Sequence, residues 1–441
     1  MKPFFLFILV AAIAAGCARK QVARPEDYAP FLQPAPLGAA VHRQQQELSF
    51  WIGRLQQDTG SFVNLLEVAG NRLALFHLTG RVHHLQAGDS LVAAAARKLN
   101  NSDPAILQML SQVSITRHRF SDAAAYNEKA RRHGASPFQY HLIAFDAAME
   151  VGRYAEAGKF LAALKDKVSF DYLIRRARYE DHQGHTDASI TAMEAAFDKV
   201  KGLSQKGLYC WTLSNLADRY AHAGRIKDAY AAYLAVLQKD GAYFHALKGI
   251  AWIAWSWDHN TKEAERILRF IEGQTPAPDL YLALAGIAED EGREQEKEQL
   301  TRRFVAAVRH PDYGDQYNKY LVDVLAPQHS DQALELAQRE VQNRPTTESY
   351  LELAWALHHK GDHPKALSIY QTYVAGRTFE PDAAYKGAFI LKAAGREKEA
   401  ARLKERCLES AFELGPVKIK KMEEIPLPRY CVLGKVVRLK M

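Results

Sequence analysis

Small and large apolar residues alternate along this chain with a beat longer than a single helix. Ala177, Ala217, Ala251, Ala285, Ala354 and Ala388 follow one another at steps of 40, 34, 34, 69 and 34 residues. Seven positions beyond most of them stands a glycine, at Gly184, Gly224, Gly292, Gly361 and Gly395. Some five positions further comes another alanine, as at Ala229, Ala366 and Ala400, and Ala123, Ala157, Ala264 and Ala333 fall on the same grid. Each window predicts a helix, a tight turn closed by glycine in the left-handed region, and a second helix. The alanines mark where two helix backbones approach closely. Large apolar residues fill the positions between, for example Leu213, Leu216, Tyr220, Ile226, Tyr233 and Val236. One such hairpin buries too little surface to stand alone, so the pattern predicts units stacked in series around shared apolar faces.

This pattern resembles the tetratricopeptide repeat, both in its 34-residue period and in its residues. The likeness is clearest from Leu213-Ser-Asn-Leu216-Ala217 through Gly224-Arg-Ile226-Lys-Asp-Ala229. It is equally clear from Tyr350-Leu-Glu-Leu353-Ala354 through Gly361 to Ala366 and Tyr370. About ten units begin near residues 62, 103, 137, 170, 208, 243, 277, 314, 347 and 381. Individual units are degenerate, with Lys297 at an alanine position and Leu321 in place of a small residue. The resemblance implies an all-α fold, a right-handed superhelical solenoid of helix pairs over residues 62–414. A helical cap at 41–61 would precede it.

The ends of the chain read differently. Lys2, an apolar run from Phe4 to Ala15, and Gly16-Cys17 have the order of a secretory signal. The run falls short of the roughly 20 residues that span a bilayer. Ala14-Ala15-Gly16-Cys17 resembles the lipobox of bacterial lipoproteins, which implies a signal peptide at 1–16 and lipidation of Cys17. Ala18 rather than Asp follows that cysteine, which in this family points to the outer membrane, with the body facing the periplasm. Pro25, Pro30, Pro34 and Pro36 without a periodic apolar face predict an extended tether over 17–40. The final stretch, 415–441, holds seven basic and two acidic residues. Val417-Lys-Ile419-Lys and part of Lys435-Val-Val-Arg438-Leu-Lys440 alternate, which predicts short strand-like segments. Such a tail could pair with a partner's sheet edge, or lie along the last repeat and cover its apolar end.

Charge then narrows the function. The 441 residues carry a formal charge of +7, but the leader and tail hold the excess and residues 41–414 balance to zero. A neutral body excludes a broad electrostatic nucleic-acid surface. Phosphate-loop, dinucleotide, nucleophile-elbow and HExxH signatures are absent from the sequence. His358, His359 and His363 straddle the turn at Gly361, so the helical spacing a metal site needs is broken and a solvated turn is expected. Cys210 and Cys407 fall at apolar helical positions and are expected to be buried thiols, whereas Cys431 lies in the tail.

The repeat resemblance implies that the first helix of each unit lines a concave groove. In that register the groove takes Trp211 and Asp218, then His245, Lys248, Trp252 and Trp255, then Trp355 and His358, and finally Tyr385, Phe389 and Lys392. Exposed tryptophans are common anchors of partner binding. Alternatively, Trp252, Trp255 and Trp257 pack between units, because the turn at Asp258-His259-Asn260 carries an extra residue. The sequence therefore leads to a non-enzymatic scaffold without cofactor or metal, anchored in the envelope by lipid and holding a protein partner for assembly or secretion. The alternative is an accessory lipoprotein of exopolysaccharide export, with a porin and sugar chains as partners.

Overall fold

A computed structural model describes residues 21–275 and 277–426. Among these residues the regular structure is helical, without strands. A short α1 (Pro25–Tyr28) and a long α2 (Ala35–Gln57) come first. Five antiparallel pairs follow: α3 (Phe62–Thr79) with α4 (Val82–Lys98), α5 (Pro104–Thr116) with α6 (Phe120–Arg132), α7 (Pro137–Glu150) with α8 (Tyr154–Ala163), α9 (Phe170–His182) with α10 (Thr186–Val200), and α11 (Lys206–His222) with α12 (Ile226–Lys239). Five more complete the array: α13 (Phe244–Trp252) with α14 (Thr261–Glu272), α15 (Asp279–Asp290) with α16 (Glu294–Val308), α17 (Asn318–Leu325) with α18 (Ser330–Asn343), α19 (Thr347–His359) with α20 (His363–Tyr373), and α21 (Pro381–Ala393) with α22 (Glu397–Glu409). The ten starts fall within four residues of those expected. A last helix, α23 (Ala411–Lys421), leaves the end of the array.

The local causes are those the sequence announced. Ser61, Asp103, Ser136, Ser169 and Thr346 cap the first helices of their units by accepting from the backbone N–H three residues on. Gly184, Gly224, Gly292, Gly361 and Gly395 all sit at positive φ in the turns between paired helices. In units two and six the same place is held by His118 and His259, at φ 57° and 55°. The grid alanines, Ala123, Ala157, Ala177, Ala217, Ala229, Ala264, Ala333, Ala354, Ala366, Ala388 and Ala400, are fully buried. Cys210 and Cys407 are buried free thiols.

The solenoid closes on itself. The turn of unit one meets the linker after unit six, where Thr275 Oγ1 donates to the Thr79 carbonyl at 2.7 Å. Asn343 Nδ2, at the end of unit eight, donates to the His118 carbonyl at 3.1 Å. A Cβ on Gly152 would lie 2.9 Å from the Pro345 carbonyl, and one on Gly184 would lie 2.7 Å from the Phe379 ring. Turns of the early units thus rest on linkers five or six units later. One superhelical turn takes that many units, and the first helices come to face one another across a channel.

Two expectations about the ends need correction. The segment after residue 20 is not an extended tether. Pro25 begins α1, Pro30 is the second residue of a 3-10 turn (Ala29–Phe31), and Pro36 stands in the first turn of α2, all positions where the missing N–H costs nothing. This strap is docked on the middle of the array. The Val22 and Ala23 N–H groups donate to the Asp258 carboxylate at 2.9 and 2.8 Å, the Arg24 N–H donates to the Tyr230 hydroxyl, and buried Tyr28 donates to Glu263 at 2.8 Å. The tail as far as Lys421 is helical rather than strand-like, broken only at Gly415 (φ 76°, ψ 165°), with Pro416 restarting the helix. Four alternating residues are too few to separate a strand from a half-buried helix. Met422 and Ile425 are fully buried against the last pair, so this part does cover the apolar end of the array. Cys17, Cys431 and Lys435–Lys440 lie outside the described residues. Among the described residues no helix is long and apolar enough to cross a membrane.

Candidate functional site

The channel between first helices is where a ligand could be held, and α23 already lies in it. Its side chains and backbone meet α11, α13, α15 and α21, each the first helix of its unit. A cavity of about 500 Å³ remains beside it, lined by Asp218, His222, Trp252, Tyr320, Asp382 and Lys418 among others.

The upper half of this contact depends on an irregularity in unit six. After Trp252 the helix loosens into a π-turn (Ile253–Trp257), the structural form of the extra residue seen in the sequence. Such bulges rotate the side chains that follow and are frequent at functional sites. Here Trp252 Nε1 and Ser256 Oγ both donate to the Phe412 carbonyl, at 2.9 and 2.7 Å. The Phe412 ring meets Trp257 edge-on, with centroids 6.4 Å apart. The Trp252 ring covers Gly415, whose hypothetical Cβ would lie 2.8 Å from it. His222 pairs with Glu413 at 2.9 Å, and that hydrogen bond lifts the imidazole above its ordinary range against the opposing effect of burial.

The lower half is electrostatic. Lys418 pairs with Asp382, and its ammonium lies 5.3 Å from the centre of the Tyr385 ring. Lys421 pairs with Glu289 at 2.7 Å. Behind Asp382 the fully buried Lys386 ammonium touches Asp323 and Glu352 at 2.6 Å and Asp382 at 3.1 Å. Burial alone would discharge Lys386, but the three carboxylates hold it well above its usual value. Burial likewise works to raise Asp382, and Lys386 with Lys418 keeps it ionised. Burial and the charge of Asp323 push Glu352 upward. Oxygens of Asp323, Glu352 and Asp382 lie within 4.8 Å of one another, a spacing that could serve a cation, and the Lys386 ammonium already fills that role.

Residues singled out in the sequence come to lie in different surroundings. Trp252, Tyr385 and Asp218 line the occupied channel; Asp218 accepts from Tyr233 at 2.5 Å and from His245 at 2.9 Å. Trp255, only 5% exposed, is a packing residue: its ring lies over Gly286 and its Nε1 donates to Asp290 at 2.8 Å. Tyr385, though it lines the channel, is itself buried; Trp355 and half-buried Phe389 pack beside it, with centroids 6.3 and 6.2 Å from Trp355. Trp211 stands apart at 41% exposure against Phe170, and Lys248 pairs with Asp279 at 2.7 Å. Lys392 donates to the Glu424 carbonyl at 2.8 Å, tying down the end of the tail. His358, His359 and His363 are half-buried rather than solvated. Trp355 stacks on His358, whose pKa falls to about 4 through burial and the neighbouring histidines.

Sequence reasoning missed Ser256, Asp382, Lys386 and Glu352. One signal was present: Glu352 and Lys386 are one period of 34 residues apart, at the same place in consecutive units.

No family profile matches the chain, and no curated protein matches it. Among solved structures, a tetratricopeptide repeat protein from Parabacteroides merdae is similar at 13% identity, covering 58% of this chain and 98% of its own, with a TM-score of 0.33. The yeast Tom70 is similar at 12% identity, covering 91% of this chain and 96% of its own, with a TM-score of 0.32. The assignment of ten paired-helix units rests on the turns and alanines of this chain itself.

Proposed function

We propose that the protein is a non-enzymatic scaffold, held in the bacterial envelope by lipid on Cys17, that grips a polypeptide partner in its channel for envelope assembly or secretion. The observation that supports it is the treatment of Phe412. Two side chains of unit six, Trp252 and Ser256, converge on one main-chain carbonyl, and His222 and Asp382 flank it with charge partners. Recognition of backbone together with flanking side chains is how a groove holds a peptide. Under this reading the strap sets the orientation. Cys17 precedes Val22 by five positions, so the chain carries the anchor at most roughly 18 Å from Val22, which is bonded to Asp258. The bilayer then faces the middle of the array, not its first repeat.

Two measurements test the reading. Mass spectrometry of the mature N-terminus should find an acylated Cys17, and Cys17→Ser should release the protein from membranes. A photo-crosslinking residue at exposed, channel-lining Tyr320 should yield discrete protein adducts in intact cells. An unmodified Cys17 refutes the anchor, and an absence of adducts refutes the scaffold.

A further inference from the structure

The residues that follow unit ten are Ala411-Phe-Glu-Leu-Gly-Pro-Val-Lys-Ile-Lys-Lys421. They could have continued the array as the first helix of another unit. Instead they turn into the channel, and each contact they make there has a chemical requirement. To accept from Trp252 and Ser256, the Phe412 carbonyl must have no competing internal donor. It has none because Gly415 and Pro416 interrupt the helix: Pro416 has no N–H to return to it. The place beneath the Trp252 ring admits no Cβ, and φ 76° there favours glycine as well. An acid at 413 answers His222, and lysines at 418 and 421 answer Asp382 and Glu289.

These contacts fall on units five, six, seven and ten and are made by one short peptide. The second part of the segment is fastened separately. Met422 and Ile425 are buried against the last pair, while Lys392 and Lys404 donate to the Glu424 and Ile425 carbonyls. The stretch 411–421 can therefore leave the channel only as a loop held at both ends.

We propose that residues 411–421 are a built-in ligand of the channel, and that the site they fill takes, from a partner, a peptide of the same chemistry. That peptide is a helix broken by Gly-Pro, with an acid two residues before the glycine and lysines three and six residues after it. The proposal rests on the scaffold reading and gives it a partner class and a condition: the partner enters by displacing the chain's own segment. The tether makes that segment a strong competitor, because a short connection holds it at an effective concentration in the millimolar range.

The test uses full-length protein and a fluorescein-labelled peptide carrying the sequence of residues 408–426. Gly415→Val places a β-branched residue at positive φ and against Trp252, and Lys418→Glu places like charges together at Asp382. Both variants should expose 411–421 to hydrogen exchange and bind the peptide at least about tenfold more tightly than wild type. Trp252→Phe added to either should lower that affinity again, and a peptide with the lysines matching Lys418 and Lys421 changed to glutamate should not bind.

Opened variants that fail to bind the peptide overturn the proposal. So does wild-type protection of 411–421 in both variants, since the named contacts would then not be what holds it. The two readings fail separately. Adducts from Tyr320 without peptide binding retain the scaffold and discard the built-in ligand, and peptide binding without cellular adducts leaves 411–421 as the segment that fills the channel but discards the partner.

Discussion

Replacing Lys386 by methionine removes one charge from the most buried ionic group in the channel wall. The ammonium lies 2.6 Å from Asp323, 2.6 Å from Glu352 and 3.1 Å from Asp382. At an effective dielectric of about 20, each contact contributes roughly 5–6 kcal/mol of attraction. Desolvation of the four groups offsets much of that, but it is not recovered when only the cation is lost. Three carboxylates then face one another in a dry site, and breaking a buried pair from one side costs about 3–5 kcal/mol. The loss should be local to units eight to ten, because a repeat array opens piecewise. Amides of α19 and α21 should exchange roughly 10²- to 10⁴-fold faster at pH 7, with α3 to α6 unchanged.

The pH dependence gives the reasoning a second handle. In the wild type Lys386 has a raised pKa, so its stabilisation is complete below the ordinary lysine value and is lost only as pH rises past the raised one. The Lys386 charge itself is therefore constant between pH 4 and 8. In the variant Glu352 has lost its cation and Asp382 keeps only Lys418, so these carboxylates take up protons more readily as pH falls toward 4. The gap between the proteins should be widest at neutral pH and should narrow on acidification. A penalty below about 1 kcal/mol, or one equal at pH 7 and pH 4, would refute the claim that a buried ion cluster fixes these units.

Three further outcomes follow from other contacts. Asp258→Ala removes the acceptor of two strap N–H groups and should loosen residues 21–31 by about 1.5–3 kcal/mol, seen as faster proteolysis there with unchanged exchange in the repeats. Gly286→Val drives a side chain into the Trp255 ring, 2.6 Å from the hypothetical Cβ, and should cost about 1–3 kcal/mol in urea titrations while altering near-ultraviolet dichroism. His222 has a raised pKa through Glu413, so its hold on α23 is full below the ordinary histidine value and is lost as pH rises through the raised one. Protection of the 411–415 amides should fall as pH rises past the ordinary histidine range, and His222→Gln should abolish that component.

The paired helices were legible because their cause is local. A left-handed turn admits glycine, and a close helix crossing admits alanine, so each unit wrote its own register into the chain. Where those rules were relaxed, as at His118 and His259, neighbouring units carried the period across. The closure of the superhelix was not legible. It accumulates from small rotations between units, and its seals, such as Thr275 on the Thr79 carbonyl, join residues 196 positions apart with no shared pattern. Prolines misled at the strap because their fixed φ suits the first turn of a helix as well as an extended tether. Packing of Trp255 between units was one of the two readings the sequence left open, but burial of Tyr385 was hidden for a related reason. Register assigns a residue to the inner side of a helix, but whether that side stays open depends on which other segment comes to lie on it.

Unit six shows how one local irregularity can join both ends of the molecule. The additional residue near Asp258 blurred the repeat register, and in the structure it is the π-turn from Ile253 to Trp257. A regular α-helix repeats its faces every 3.6 residues, so Trp252 and Ser256 would lie nearly in line and the turn would end sooner. The widened turn still brings both side chains to the Phe412 carbonyl, yet it also carries Asp258 round to the strap. The amino-terminal strap and the channel segment therefore bear on one another through six consecutive residues, 253–258, and the π-turn has two partners that both depend on its geometry. Deleting a residue to restore a regular helix would have to misplace either Asp258 or Ser256. Retention of both the strap and α23 contacts in such a deletion would mean that the irregularity is incidental, and that repeat packing alone determines where the two ends lie.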